Sequence, residues 1–298
     1  MGDHSFITVD VFTDRPLMGN PLAVFPDAEG LDGRTMQAIA REFGHSETTF
    51  VLRPRQAKAL WRLRCFSPTA EVFGAGHNAL GAWWVLVATG RVALDTGAAQ
   101  TLVHQELGDG VLPVELQHPS GKLERVRMTQ APPTFTQAFR DITGLAGALG
   151  IAADQLEPPP LRPQAVSTGA KHLLVPVRGL SVLEKLVLDA ERLLTLVRPI
   201  GCQGAYVFTR ETNAATSSAH ARAFFPGIGI FEDPATGSAA GPLGAYLAAH
   251  GLIRPSVPIV VEQGDEMGRP SRIEVCVDGD LVQVGGQCAL VIEGTLHA

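Results

Sequence analysis

Three titratable side chains and two glycine-polar dipeptides stand where chemistry could be done. Glu47 lies in GHSETTFVL, a carboxylate just ahead of the apolar run 48–52. Burial beside such a run would raise its pKa towards the range a general acid or base needs, whereas a solvated strand edge would leave it unremarked. His77 and Ser238 each follow a glycine, Gly76 and Gly237, and each opens an apolar segment. Glycine lets the backbone approach closely and serine is a favoured N-cap, so both dipeptides would present backbone N–H groups at the positive end of a helix. Such ends suit a carboxylate or phosphate, and two of them facing each other would hold a small anion; plain helix capping calls for the same residues. Asp233 precedes Pro234, which biases it to an extended backbone just ahead of Gly237-Ser238. His45 adjoins Glu47, but an isolated loop histidine carries little by itself.

Other chemistries lack their motifs. The sequence has no HExxH, GxSxG or GxxxxGK[ST] run and no cysteine-histidine cluster at metal spacing. The run Gly227-Ile228-Gly229-Ile230 lacks the third glycine of a dinucleotide loop. The expectation is a chemistry that needs neither metal nor organic cofactor.

The elements that must position these groups are mostly short strands. Residues 5–12 alternate as a half-buried strand does, and 21–25 resume the apolar pattern after the turn residues Gly19 and Asn20. Residues 31–43 place Met36, Ile39, Ala40 and Phe43 on one helical face, with Gly44 just past the end, where a left-handed residue is wanted. Further strands are expected at 48–52, 61–66, 111–116, 172–177, 205–209, 221–225, 273–277 and 289–292. A linker is expected over 129–137, the stretch TQAPPTFTQ, after a charged strand near 122–128.

An internal repeat turns this alphabet into architecture. Laid without a gap, residues 71–90 and 232–251 match Glu71 to Glu232, Gly76 to Gly237, Ala79 to Ala240, Leu86 to Leu247, Ala88 to Ala249 and Gly90 to Gly251. Each copy reads as a glycine-polar dipeptide, an apolar helix of about three turns and a terminating glycine. Two unrelated buried helices rich in small residues would also give such matches.

Composition sets the bounds. A chain of 298 residues that is 45% apolar can build two cores, and its net charge of −6 is not gathered into a basic stripe that nucleic acid would require. The start MGDHSFITVD carries an acidic residue where a signal peptide needs a basic one, and no apolar run reaches the roughly 18 residues of a membrane span. Cys65, Cys202, Cys276 and Cys288 form no CxxC pair. Reduced thiols in the cytoplasm are the expectation.

Four blocks, DVFTDRPLMGNPLAVF, MQAIAREFGHSETTFVL, LRCFSPTAEVFGAGHNALG and EDPATGSAAGPLGAYL, resemble the PhzF family in order and spacing. The resemblance implies an α+β fold similar to diaminopimelate epimerase: two pseudo-symmetric domains, each a mixed sheet wrapped around a central helix, with the site between them. The domains would be 1–128, joined by a C-terminal strand at 287–298, and 129–286, with central helices at 78–89 and 239–250. It further implies that Glu47 removes a proton from one carbon of an allylic system and returns it two carbons away. His77, Asp233 and Ser238 would bind substrate and relay protons, Asn20 would bind substrate, and the Gly76-His77 and Gly237-Ser238 amides would hold its carboxylate. Epimerases of this fold carry a cysteine in each half where Gly76 and Gly237 stand, which disfavours racemisation by paired thiols. Asn78 and the Trp83-Trp84 pair depart from the family pattern and would bear on which substrate fits. The implied activity is a cofactor-independent isomerase resembling trans-2,3-dihydro-3-hydroxyanthranilate isomerase, acting on a small anionic metabolite as a homodimer. The alternatives are an epimerase or racemase using Glu47 with Asp233, and a non-catalytic small-anion-binding protein.

Overall fold

A helix that rests on a sheet needs one apolar side, whereas a helix enclosed by a sheet needs apolar residues all round; this chain builds both kinds, twice. The computed structural model describes residues 2–74 and 76–297. The chain divides into two compact units, Met1–Thr129 with Gly285–Ala298, and Gln130–Val284.

The first unit runs β1 (Asp3–Val11), β2 (Asn20–Phe25), α1 (Gly33–Phe43), β3 (Glu47–Leu52), β4 (Trp61–Phe66), β5 (Glu71–Val72), α2 (His77–Ala88), β6 (Gln100–Leu107), β7 (Gly110–Gln117) and β8 (Arg125–Gln130), which ends at the boundary. Helix α1 is the one-sided kind. The Asp32 carboxylate accepts the Thr35 N–H to start it, and Gly44 at φ 64° stops it. Its buried Met36, Ile39 and Ala40 pack with Phe25, Phe50 and Phe66. Helix α2 is the enclosed kind, buried from His77 to Ala82 and at Trp83, Val85 and Leu86, and it packs on β1, β2 and β3.

The second unit runs β9 (Thr134–Ala138), α3 (Ile142–Ala148), β10 (Gln164–Ser167), β11 (Lys171–Pro176), α4 (Leu180–Leu183), α5 (Ala190–Val197), β12 (Ala205–Thr209), β13 (Ala219–Phe225), β14 (Ile230–Asp233), α6 (Gly237–Ala249), β15 (Ile259–Gln263), β16 (Ser271–Asp278) and β17 (Leu281–Gly286). Helices α3, α4 and α5 cover one side around Leu145, Leu173, Leu183 and Leu193. Helix α6 is enclosed and packs on β10, β11 and β16. The last strand, β18 (Cys288–His297), belongs to the first unit and pairs antiparallel with β1.

The two units share one pairing scheme. In the first, β1 and β2 are antiparallel, β2 and β3 parallel, β3 and β4 antiparallel, β4 and β5 antiparallel, β4 and β6 parallel, and β6 and β7 antiparallel. The second repeats it step for step with β10 to β16. Side chains repeat as well. Arg64 forms a two-pronged pair with Glu71 and lies over Phe66, and Arg222 does the same with Glu232 and Phe224. This is the pseudo-symmetric mixed α/β fold that the helix repeat announces.

The structure corrects three details. Most of 129–137 is strand, because β8 runs to Gln130 and β9 starts at Thr134. The enclosed helices begin one or two residues earlier than 78 and 239, at His77 and Gly237. Trp83 is fully buried, its indole N–H donating to the Gln105 Oε1 at 2.6 Å, so its bulk belongs to the core of the first unit.

Gly81 shows how closely α2 is wrapped. A methyl group there would lie 2.6 Å from Leu22 Cδ2 and 2.9 Å from Val11 Cγ2. Gly81→Ala should destabilise the protein by about 1–3 kcal/mol through overpacking. Urea unfolding should show a lower midpoint with an unchanged slope, and an unshifted midpoint would mean that the helix is held less tightly than described.

Candidate active site

In the first unit the chain geometry brings three of the sequence-derived residues together. Gly44 turns the chain out of α1, and three residues later Glu47 opens β3 opposite Leu22 of β2. Asn20 opens β2 and is fully buried. His77 is the first residue of α2. Its Nδ1 lies 3.7 Å from Glu47 Oε2, with the two side chains 10% and 18% exposed. Between Asn20 and His77 stands Ser46, whose hydroxyl donates to Asn20 Oδ1 at 3.0 Å and meets His77 Nε2 at 3.3 Å. The site is therefore a nearly enclosed carboxylate facing an imidazole that a serine holds from behind.

Burial pushes the His77 imidazole down to about 4, and the nearby His45 adds to the effect. At neutral pH His77 is uncharged, so its approach to Glu47 is no ion pair. At 3.7 Å it is also longer than a hydrogen bond.

Gly76 is placed at the helix start but its N–H is occupied. It donates to Asn78 Oδ1 at 2.8 Å, and the Ala79 N–H donates to the same oxygen at 2.6 Å. Asn78 thus folds back over the first turn, and an anion bound at the Gly76 amide would compete with it. This is the physical content of the Asn78 departure noted above.

In the second unit Asp233 closes β14 and is buried. Its carboxylate accepts the Thr236 hydroxyl at 2.5 Å, and its backbone carbonyl accepts the Gln263 amide at 2.6 Å. Gln263 also donates to the Thr236 hydroxyl at 3.0 Å and accepts from the Thr236 N–H and from the Tyr206 hydroxyl. All four hydrogen-bonding positions of a buried amide are thus filled, which makes Gln263 a rigid mount for the start of α6. Thr236 is the cap residue, Gly237 is the first helical residue with its carbonyl accepting from Gln130, and Ser238 lies one position inside, half-buried. Ser238 is therefore not an N-cap.

The strand that carries Gln263 is anchored by its neighbour Glu262. This fully buried carboxylate accepts the Asn213 and Ala214 N–H groups and contacts His220 Nδ1 at 2.8 Å, while His220 Nε2 meets Glu266 at 3.0 Å. Burial opposes a charge on His220, but the hydrogen bonds to Glu266 and Glu262 outweigh it and raise its pKa. In the first unit Arg62 and Glu106 occupy the matching strand pair at 3.6 Å, and Glu106 likewise accepts two backbone N–H groups, from Arg55 and Gln56.

The position matching Glu47 carries no side chain. Gly201, left-handed like Gly44, ends its turn, and three residues on stands Gly204, where a Cβ would collide with the Phe224 carbonyl oxygen. Nor do thiols stand at the helix starts. Cys65 and Cys288 are buried, with burial raising the thiol pKa well above its ordinary value, and Cys202 is raised to about 11. Such thiols are inert. A cavity of about 670 Å³ in the second unit, lined by Phe139, Ile142, Leu156 and Arg162 among others, holds none of the candidate residues. Among the described residues no cluster of histidine, cysteine or carboxylate side chains could hold a metal, and no helix is long and apolar enough to cross a membrane.

The model of the family described as phenazine biosynthesis-like protein matches residues 9–294. The chain belongs to that family. Among phenazine biosynthesis-like relatives, a protein of Pseudomonas aeruginosa named trans-2,3-dihydro-3-hydroxyanthranilate isomerase is 34% identical over 99% of both chains. The crystal structure of a PhzF-family protein from Bacillus anthracis superposes with a TM-score of 0.89 at 29% identity, over 100% of both chains. A predicted epimerase from Pseudomonas aeruginosa superposes with a TM-score of 0.82 at 31% identity, over 99% of both.

Sequence reasoning missed Ser46, Thr236, Gln263 and Tyr206. Ser46 and Thr236 lie within quoted blocks beside recognised residues, so adjacency was the available signal. Gln263 and Tyr206 gave none, because their partners are reached only through strand pairing.

An unfolded histidine protonates near its ordinary 6.5, whereas folded His77 does so only at about 4. Between those values the unfolded chain binds more protons, so this side chain weakens folding as pH falls through the window, by roughly 3 kcal/mol. The loss of stability between pH 7 and 4.5, measured by urea unfolding, should be smaller in His77→Gln than in the wild type. Equal losses would contradict the burial of a neutral imidazole.

Proposed function

We propose that Glu47 is the single acid/base group of a cofactor-independent isomerase that shifts a proton, and with it a double bond, on a small cyclic or allylic carboxylate. That the chain is an isomerase follows from its family, whose curated relatives bear that name. The observation that carries the assignment is the placement of Glu47, mostly withdrawn from water and held against an uncharged imidazole. A carboxylate so placed can take a proton from carbon without being neutralised beforehand by a cationic partner. The C–H bond breaks, its electrons stay in the allylic system, and Glu47 becomes the acid that protonates the distant carbon. In the second unit the Asp233 carboxylate, which accepts from Thr236, can accept from a ligand's donor groups, and the N–H groups at the start of α6 can donate to an anionic group. Asn20 supports the substrate site through Ser46. Because Gly76 and Gly237 replace the paired thiols and the four cysteines lie elsewhere, two-thiol racemisation has no groups to run on.

The first compound to assay is trans-2,3-dihydro-3-hydroxyanthranilate, followed by other cyclic allylic carboxylates. Glu47→Gln keeps the shape of the site but removes the base, so substrate binding should survive while kcat falls by about 10²- to 10⁴-fold. In D₂O the wild type should place deuterium at the accepting carbon to an extent set by how fast Glu47 exchanges with solvent. Turnover by Glu47→Gln at near wild-type rate would remove Glu47 from the mechanism. Inversion of amino-acid stereocentres without double-bond migration would make the protein an epimerase instead.

A further inference from the structure

We propose that Ser46 is a positioning residue that fixes the tautomer of His77, so that the imidazole turns a bare Nδ1 lone pair towards Glu47. The proposal rests on the reading of Glu47 as the acid/base group and assigns the site a device that reading does not contain.

A serine hydroxyl has one proton to donate. Ser46 gives it to Oδ1 of Asn20, a fully buried residue at the start of β2. Towards His77 Nε2, 3.3 Å away, Ser46 therefore offers only lone pairs, and Nε2 must carry the ring proton. An uncharged imidazole has one such proton, so Nδ1 is bare. That bare nitrogen faces Glu47 Oε2 at 3.7 Å, beyond hydrogen-bond length. Two acceptors held at this separation fit an ionised carboxylate with no proton between them.

Proton capture changes the contact. When the substrate C–H bond breaks and an O–H bond forms on Glu47, the new acid can donate to Nδ1 after closing by about 0.7–1 Å, the gap to normal hydrogen-bond length. His77 gains no proton in the net. It accepts a hydrogen bond from the loaded acid and repels the unloaded carboxylate, so it favours Glu47 in the form that must survive between the two half-reactions. The opposite tautomer would do the reverse. An Nδ1–H would donate a charge-assisted bond to the ionised carboxylate and hold it as a weaker base.

The readout does not depend on the substrate. In ¹⁵N-histidine-labelled, ligand-free protein, two-bond ¹⁵N–¹H correlations distinguish the tautomers, and the His77 signals are those missing from His77→Gln. Wild type should show Nε2–H across neutral pH. Ser46→Ala removes the acceptor and should give the Nδ1–H form, and Ser46→Thr, which restores a hydroxyl, should return the wild-type pattern. On a turned-over substrate Ser46→Ala should lower kcat about tenfold, the effect of about one pKa unit on the base, with little change in KM. An Nδ1–H wild type, or a Ser46→Ala protein that keeps Nε2–H, overturns the proposal while leaving Glu47 as the base. Unimpaired turnover by Glu47→Gln would instead sink the functional reading, whichever tautomer the spectra show.

Discussion

A helix enclosed by its own sheet has no side to spare for polar groups, and the rest of this structure follows from that constraint. Helices α2 and α6 are built mostly from alanine, glycine, leucine, valine and aromatic residues because nearly all their positions before the last turn are buried. Polar chemistry is left with the helix starts. There the unsatisfied backbone N–H groups of the first turn need partners, and each unit gathers buried or partly buried polar residues at that place: Asn20, Ser46, Glu47, His77 and Asn78 in one, Asp233, Thr236 and Gln263 in the other. The cores on the far sides of the sheets, around Phe25 and Phe50 or around Leu173 and Leu193, brace the strands that deliver those residues.

What could be read from the sequence follows the same division. Enclosed helices leave a compositional trace, small and apolar residues bounded by glycine, and the match of 71–90 to 232–251 exposed the doubled fold before any contact was known. The strands announced themselves by alternation, and the left-handed Gly44 marked the end of α1 to the residue. Glu47 was legible as a carboxylate at the mouth of an apolar run, and His77 and Ser238 as polar residues following a glycine.

Its hydrogen-bond partners were not legible, because they are distant in sequence. Ser46 meets Asn20 across 26 residues and His77 across 31, and Gln263 reaches back 30 residues to Asp233. No local pattern encodes such pairings, which depend on register between strands and on the exact turn by which a helix begins. The occupation of the Gly76 amide by Asn78 escaped for a related reason. An asparagine two residues into a helix reads as an ordinary polar substitution until its side chain is seen bent back over the first turn.

The empty position at Gly204 has a stereochemical consequence. A duplicated fold offers two strand entries at which a carboxylate could stand, but in the second unit the Phe224 carbonyl oxygen closes that entry to any side chain. No single substitution at Gly204 can therefore place a carboxylate at the matching position of the second unit without displacing β13. A lone carboxylate addresses one face of a planar allylic system, so the proposed removal and return of the proton by Glu47 would make the shift suprafacial. With a chirally deuterated substrate, the label that leaves and the hydrogen that arrives would be found on the same side of the molecular plane, an outcome set by the absence of one Cβ atom.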